Sequence, residues 1–159
     1  MNRPATAEDF DLIYGWYMHP DINPWLLYEQ MGKEEFRPIF NELASRAQLF
    51  VFQYDGMDAG MFKLVPMKHR NSHIIYLGGV ALDPAFRGKS LGGRMLEEVV
   101  AKVRDMGYKR IELTVATFNE AAIALYTKMG FVNEGCLRDY TYLKSEDRYI
   151  DEYVMGLIF

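Results

Sequence analysis

A turn rich in glycine and basic residues carries the first chemical signal in this sequence. It follows an apolar run that ends at Leu82, it precedes an amphipathic helix, and it contains Arg87, Gly88, Lys89, Ser90, Leu91, Gly92 and Gly93. The first amide N–H groups of a helix have no backbone partner, and the helix dipole favours anions there. Glycines leave those groups unobstructed, so we expect the turn to hold a phosphate or pyrophosphate. A plain connection with solvated basic residues is the competing interpretation.

Two nucleotide-binding patterns are excluded by spacing. Gly88-Lys89-Ser90 looks like the end of the triphosphate loop G-x-x-x-x-G-K-[ST], but Asp83 stands where that pattern requires glycine. The dinucleotide pattern G-x-G-x-x-G is absent as well. The predicted phosphate cradle therefore belongs to another kind of ligand.

A second segment, residues 119–131, begins at Asn119, contains Tyr126 and ends at Gly130-Phe131. The two segments together resemble motif A (Q/R-x-x-G-x-G/A) and motif B (N-x-x-A-x-x-L-Y-x-K-x-G-F) of the GNAT superfamily of acyl-CoA-dependent N-acyltransferases. Residues 3–9 are similar to the start of many members. Residues 149–155 resemble the last strand of the branch that includes ribosomal-protein N-terminal acetyltransferases and spermidine acetyltransferases. Ser90 departs from motif A, which usually has glycine there.

The resemblance implies a set of cofactor contacts for acetyl-CoA as the cosubstrate. The backbone of Val80, Ala81 and Leu82 would pair with the pantetheine arm and offer an amide to the reacting carbonyl. The amides of 88–93 would wrap the pyrophosphate, with Arg87 at the start of the turn. Asn119 would bind the cofactor arm. Tyr126 would stand near the thioester sulfur.

The chemistry implied is transfer of an acetyl group to a primary amine by direct attack through a tetrahedral intermediate. The reaction needs a neutral amine, a donor for the oxyanion and a proton for the leaving thiolate. Tyr126 is the candidate general acid: its reference pKa of ~10, compared with ~8.5 for a thiol, lets it supply a proton to the departing sulfur, though not strongly. On a helical wheel Tyr126 shares a face with Ala122, Leu125 and Met129, so periodicity alone predicts a core tyrosine.

The general base is left open between Glu112, His73 and water. Glu112 is equally suited to a structural or solvent-facing strand position, and His73 to the surface. No cluster of His, Asp and Glu has metal-ligand spacing, so no metal is expected.

The acceptor amine is expected between the first two helices and the C-terminal strands. Trp25, Tyr28 and Glu29 lie on the connection between those helices, and aromatic walls with carboxylates suit a cationic amine. Asp139, Tyr140 and Tyr142, expected beyond the sixth strand, extend the same argument. For each of these residues a core or solubility role is the alternative.

Several functional alternatives stay open. A sensor domain that binds acyl-CoA without catalysis is one, although Asn119 and Tyr126 argue against it, and an interaction protein that reuses the fold is another. The acceptor is a protein N-terminal amine, a polyamine, an aminoglycoside or another small amine. A homodimer is possible.

The pattern of elements predicts one α/β (α+β) domain over residues 1–159. Strands are predicted over 3–6, 49–53, 60–65, 74–82, 109–116, 131–136 and about 148–157, and helices from about residue 7 to His19, and over 33–45, 91–106 and 119–129. The family resemblance implies a mixed, mostly antiparallel sheet of about six to seven strands with a splayed parallel pair, flanked by about four helices.

Composition limits the class of protein. A net charge of −4 over 159 residues argues against nucleic acid as a partner. Cys136 is the only cysteine, so no internal disulfide can form. The first residues lack the apolar core of a signal peptide, and no apolar run approaches the ~20 residues that span a bilayer. We therefore expect a soluble cytoplasmic protein that does not bind a membrane.

Overall fold

The computed structural model describes residues 1–159. Its seven strands are β1 (Asn2–Pro4), β2 (Leu49–Tyr54), β3 (Met57–Pro66), β4 (Ile74–Leu82), β5 (Arg110–Ala116), β6 (Val132–Leu143) and β7 (Arg148–Ile158). Its four α-helices are α1 (Phe10–Tyr17), α2 (Lys33–Ser45), α3 (Leu91–Asp105) and α4 (Glu120–Lys128). None of them combines the length and the apolar character that crossing a membrane requires.

The strands are hydrogen bonded in the order β1-β2-β3-β4-β5-β7-β6. The pair β4 and β5 is parallel, and its register runs from Ile74 opposite Arg110 to Tyr76 opposite Glu112. The pairs β1–β2, β2–β3, β5–β7 and β6–β7 are antiparallel. The parallel register covers only Ile74 to Tyr76, at the start of β4. The last residues of β4, Val80 to Leu82, are the ones that the family resemblance assigns to cofactor binding. The predicted fold class is confirmed.

Local sequence explains where most elements begin and end. Asp55 and Gly56 between β2 and β3 have φ of 50° and 74°, the left-handed pair that a tight hairpin turn requires. Helix α1 ends at Tyr17, just before His19-Pro20, because the residue before proline is pushed out of the helical region. In α3 the apolar residues at helical spacing, Met95, Leu96, Val99 and Val103, are all buried.

Strand β6 departs from the prediction. It was expected to stop at Cys136, but it continues to Leu143, so Asp139, Tyr140 and Tyr142 lie within the strand and not beyond it. The register between β6 and β7 shifts between Leu137 and Thr141, and Asp139 has φ of 50°. The alternation of side chains is interrupted at such an irregularity, so from sequence the strand is predicted to end there.

The chain divides into two compact units. The first comprises 1–64 and 78–91, and the second comprises 65–77 and 92–159. The first unit buries a cluster rich in aromatic rings: Phe10, Ile13, Trp16, Tyr17, Phe36, Phe40, Leu49, Val51 and Met61. The second unit buries residues from its strands and from α3 and α4: Ile75, Leu77, Met95, Leu96, Val99, Val103, Ile111, Leu113, Tyr126 and Met155. That residues 1–159 act as a single domain stays a prediction.

Candidate active site

The end of β4 has an unusual backbone in the first unit. Gly79 has φ of 59°, a left-handed conformation that distorts the strand just before Val80. A Cβ atom at Gly79 would lie 2.7 Å from the hydroxyl oxygen of Tyr17. Val80, Ala81 and Leu82 follow, and each is half-buried. Their backbone is the segment that the sequence assigns to the pantetheine arm and the oxyanion.

Asp83 fixes the turn that follows β4. Its Oδ1 accepts a hydrogen bond from the amide of Ala85 at 2.8 Å, which caps a short 3-10 turn over Pro84–Phe86. Its Oδ2 accepts a hydrogen bond from the indole Nε1 of Trp16 at 2.8 Å. The carboxylate therefore ties the start of the glycine-rich turn to helix α1.

The glycine-rich turn is exposed and basic. Gly88 and Ser90 have φ of 75° and 57°, and Arg87, Gly88, Lys89 and Ser90 are all exposed. The guanidinium of Arg87 lies 3.5 Å from the carboxylate of Asp21 at the surface. The ammonium of Lys89 lies 5.4 Å from the centre of the Phe86 ring. Exposed N–H groups at a helix start are suited to bind phosphate oxygens. The assignment of this turn to a pyrophosphate stays a prediction.

The departure at Ser90 has a conformational cost. A residue with a Cβ atom in the left-handed region is disfavoured by about 1–2 kcal/mol, and Ser90 has φ of 57°. A glycine at this position would adopt the left-handed conformation without that cost, whereas Ser90 holds it with a side chain.

Residues at the start of α3 serve packing as well as the predicted cradle. The side chain of Leu91 is buried. In the second unit, a Cβ atom at Gly93 would lie 3.9 Å from Cδ1 of Leu125, so α3 and α4 are in ordinary van der Waals contact at this point.

Asn119 caps helix α4. Its Oδ1 accepts a hydrogen bond from the amide of Ala122 at 3.3 Å, so the asparagine satisfies one of the free N–H groups at the helix start. The sequence assigns Asn119 to the cofactor arm, and that role stays a prediction.

Tyr126 is a buried residue of α4, and its ring centre lies 5.7 Å from that of Phe131. Burial, together with the neighbouring Tyr76, raises the pKa of the Tyr126 phenol. The hydroxyl therefore keeps its proton at neutral pH, and full proton transfer to a thiolate becomes more uphill. The buried phenol is thus suited to donate a hydrogen bond and not to lose its proton, and its place near the thioester sulfur stays a prediction.

The residues predicted for the acceptor differ in burial. Trp25 and Glu29 are exposed, and Tyr28 is half-buried. The ring of Tyr28 lies 5.5 Å from that of Tyr17 and 6.3 Å from that of Phe36, measured between centres. The ammonium of Lys63 lies 5.0 Å from the centre of the Tyr28 ring. The face of Tyr28 expected to bind a cationic amine thus already carries a cation.

The two candidate bases, Glu112 and His73, differ in their surroundings. The carboxylate of Glu112 accepts a hydrogen bond from the guanidinium of Arg110 at 2.9 Å. His73 is exposed just before β4. On β6, the amide of Asp139 donates to the carboxylate of Asp151 at 2.8 Å. No group of three or more His, Cys, Asp and Glu side chains is arranged to hold a metal ion.

Sequence reasoning missed Tyr17, Lys63 and Asp83. Asp83-Pro84 after a strand is a capping signal that was open to detection. Tyr17 at the end of α1 and Lys63 in β3 belong to no sequence motif. Their burial and their contacts depend on segments that are far apart in the chain.

Two curated proteins illustrate what this chain is similar to. An uncharacterized N-acetyltransferase of Escherichia coli, YjgM, is 34% identical over 82 residues, which are 52% of this chain and 49% of the relative. The alanine N-acetyltransferase of ribosomal protein bS18 from Salmonella typhimurium is 35% identical over 81 residues, 51% of this chain and 53% of the relative. The chain spans about half the length of these curated relatives.

Among solved structures, spermidine N-acetyltransferase from Vibrio cholerae, in complex with CoA and spermine, superposes with a TM-score of 0.87 at 20% identity. The match covers 99% of this chain and 94% of that one, and at this identity it speaks for the fold. The model of the acetyltransferase (GNAT) family matches residues 9–131, which include both motifs. The chain therefore belongs to the acetyltransferase (GNAT) family.

Proposed function

We propose that this protein transfers an acetyl group from acetyl-CoA to a primary amine. The observation that carries the proposal is the exposed basic turn between β4 and α3, with Gly88 and Ser90 in the left-handed conformation. Family membership supports the same reaction class. The CoA complex of the similar Vibrio cholerae enzyme supports the choice of cosubstrate.

The chain's own residues have distinct tasks in this proposal. Amides of the turn 88–93 bind the pyrophosphate, with Arg87 and Lys89 adding positive charge, and Asn119 contacts the cofactor arm. The backbone of Val80, Ala81 and Leu82 aligns the arm, and an N–H of Val80 or Ala81 donates to the carbonyl oxygen as it gains charge. Acetyl-CoA supplies the thioester that the amine attacks.

Tyr126 donates a hydrogen bond from its phenol to the departing sulfur. Its raised pKa keeps the donor protonated, which supports this role over that of a base. The proton of the attacking amine leaves through water, because Glu112 is engaged by Arg110.

Turnover is tested by following thiol release from acetyl-CoA with a panel of amines: L-amino acids, spermidine, an aminoglycoside and a peptide with N-terminal alanine. We expect release that depends on one class of amine. Binding of acetyl-CoA without release for any amine would favour the sensor alternative instead. Cytoplasmic location and a homodimer stay predictions.

A further inference from the structure

Lys63 is a buried cation without a carboxylate partner. Its side chain belongs to β3, only 6% of the residue is exposed, and it faces the ring of Tyr28. Burial is the cause that lowers the pKa of its ammonium, and no neighbouring carboxylate offsets it. A charged lysine is almost never buried in this way unless it is paired, because removing an ion from water is costly.

Tyr17 presents a second donor without an acceptor, next to Gly79. Its hydroxyl is buried and has no hydrogen-bond partner, and its residue is 1% exposed. The hydroxyl lies 2.7 Å, and Cγ of Lys63 lies 3.6 Å, from the position that a Cβ atom of Gly79 would occupy. An unpaired buried hydroxyl destabilises the folded protein. Lys63 and Tyr17 therefore flank Gly79, immediately before the backbone assigned to the reacting carbonyl.

The chemistry of these donors selects the ligand. A carboxylate accepts hydrogen bonds at two oxygens and carries the negative charge that would pair with the ammonium of Lys63. A second cation would be repelled by Lys63, which already occupies the face of Tyr28. The surroundings thus favour an anion and disfavour a polyamine.

We propose that Lys63, Tyr28 and Tyr17 form a binding site for a carboxylate of the acceptor, so that the acceptor is an amine that also bears a carboxylate, such as an amino acid. The proposal rests on the acetyltransferase function proposed above. It assigns Lys63 and Tyr17 to acceptor binding and gives neither a part in the bond changes.

The test uses substrate pairs that differ only by the carboxylate. Thiol release is measured with L-leucine against isoamylamine, L-phenylalanine against phenethylamine and L-lysine against cadaverine, and with a pool of the remaining L-amino acids against spermidine. We expect the carboxylate-bearing amines to be preferred. Lys63→Met should raise their KM by about 30-fold or more, since it removes the charged partner of a buried ion pair.

Two further variants separate binding from folding. Tyr17→Phe should raise the same KM without lowering the stability of the ligand-free protein, because the hydroxyl has no partner to lose. Lys33→Met is the matched control: its ammonium lies 5.8 Å from the ring centre of Tyr14 and pairs with Asp11 at the surface, and we expect unchanged kinetics.

Three results would overturn the proposal: preference for the amines without a carboxylate, turnover only of spermidine, or an unchanged KM in Lys63→Met. Calorimetric binding of acetyl-CoA to each variant distinguishes this failure from failure of the acetyltransferase function. If acetyl-CoA binds and some amine turns over, only the carboxylate site is wrong. If acetyl-CoA does not bind the wild type, the underlying function is wrong, and the carboxylate site falls with it.

Discussion

At the scale of single residues, the phenol of Tyr126 decides how the leaving sulfur is handled. Replacing it in Tyr126→Phe removes the hydroxyl and keeps the ring against Phe131. We expect kcat to fall about 100-fold, the lower end of what one hydrogen-bond donor to a developing charge contributes. Because the pKa of Tyr126 is raised, the hydroxyl stays protonated over the assay range, so the loss should be constant between about pH 6 and 9.

The measurement is a pair of pH–rate profiles for wild type and Tyr126→Phe, with acetyl-CoA affinity determined for both. An alkaline limb that disappears in the variant would mean that Tyr126 titrates within this range. Wild-type activity in the variant would leave the tyrosine as a core residue, the role that its helical periodicity alone predicts.

Ser90 is the second residue with a specific cost. Since it holds φ of 57°, Ser90→Gly should raise the free energy of unfolding by about 1 kcal/mol. Chemical denaturation measures the change. The control is Ser72→Gly, at φ of −63°, where glycine only adds freedom to the unfolded chain and stability should fall slightly. Equal effects at both serines would show that the turn is not strained.

At the scale of elements, β3 and β4 approach closely where the cofactor arm is predicted. A Cβ atom at Gly60 would lie 2.5 Å from the backbone oxygen of Ala81 and 3.3 Å from Cα of Leu82. Gly60→Ala must therefore displace the backbone of β4. We expect a loss of about 1–3 kcal/mol in stability and weaker acetyl-CoA binding by calorimetry.

Gly15→Ala is the control for this substitution. Gly15 lies in α1 with no atom near its Cβ position, so alanine should stabilise the protein by about 0.5–1 kcal/mol. A Gly60→Ala protein with wild-type stability and affinity would contradict the close approach of the two strands.

The junction between β1 and α1 is held by an ion pair that responds to pH. The guanidinium of Arg3 donates to both carboxylate oxygens of Asp9, at 2.7 and 2.8 Å, and holds the pKa of Asp9 below its ordinary value. A carboxyl whose folded pKa is lowered contributes stability above its unfolded pKa of ~3.9, and that contribution is lost as pH falls through the folded pKa.

Asp9→Asn should therefore lower stability at pH 7 by about 2 kcal/mol, as expected for a hydrogen bond to a charged group, and this cost should shrink progressively as the pH falls from the unfolded pKa of ~3.9 toward the lowered folded pKa. Denaturation at pH 7 and across that acid range measures this. Asp11→Asn, which removes a surface pair with Lys33, should have little effect at any of these pH values. A constant cost of Asp9→Asn across pH would mean that the charge of Asp9 is not involved.

At the scale of the whole molecule, patterns of neighbouring residues predicted the helices, strands and turns. Contacts between residues far apart in the chain could not be predicted in this way. The hairpin at Asp55-Gly56, the end of α1 before His19-Pro20 and the apolar face of α3 follow from turn chemistry, proline and periodicity, all of which act within a few residues. The motifs placed the basic turn and Tyr126 on the elements where the structure has them. The length of β6 was missed because a backbone irregularity looks like a strand end.

The environment of Lys63 illustrates the limit of sequence reasoning. A lysine in an apolar strand predicts only a solvent-facing position, and its burial beside Tyr28 depends on segments far apart in the chain. The same holds for the unpaired hydroxyl of Tyr17 against Gly79. The sequence left the acceptor open among several amines, and these contacts are the basis for proposing an amine with a carboxylate.

Calorimetric titration of acetyl-CoA into the purified protein tests the central claim most directly, with desulfo-CoA and ATP as comparison ligands. The account predicts micromolar affinity for acetyl-CoA, about −8 kcal/mol, and much weaker binding of ATP. Desulfo-CoA should bind comparably, because the turn 88–93 contacts the pyrophosphate and not the sulfur. No detectable binding of acetyl-CoA, or equal binding of ATP, would contradict the claim that this turn is a coenzyme A site.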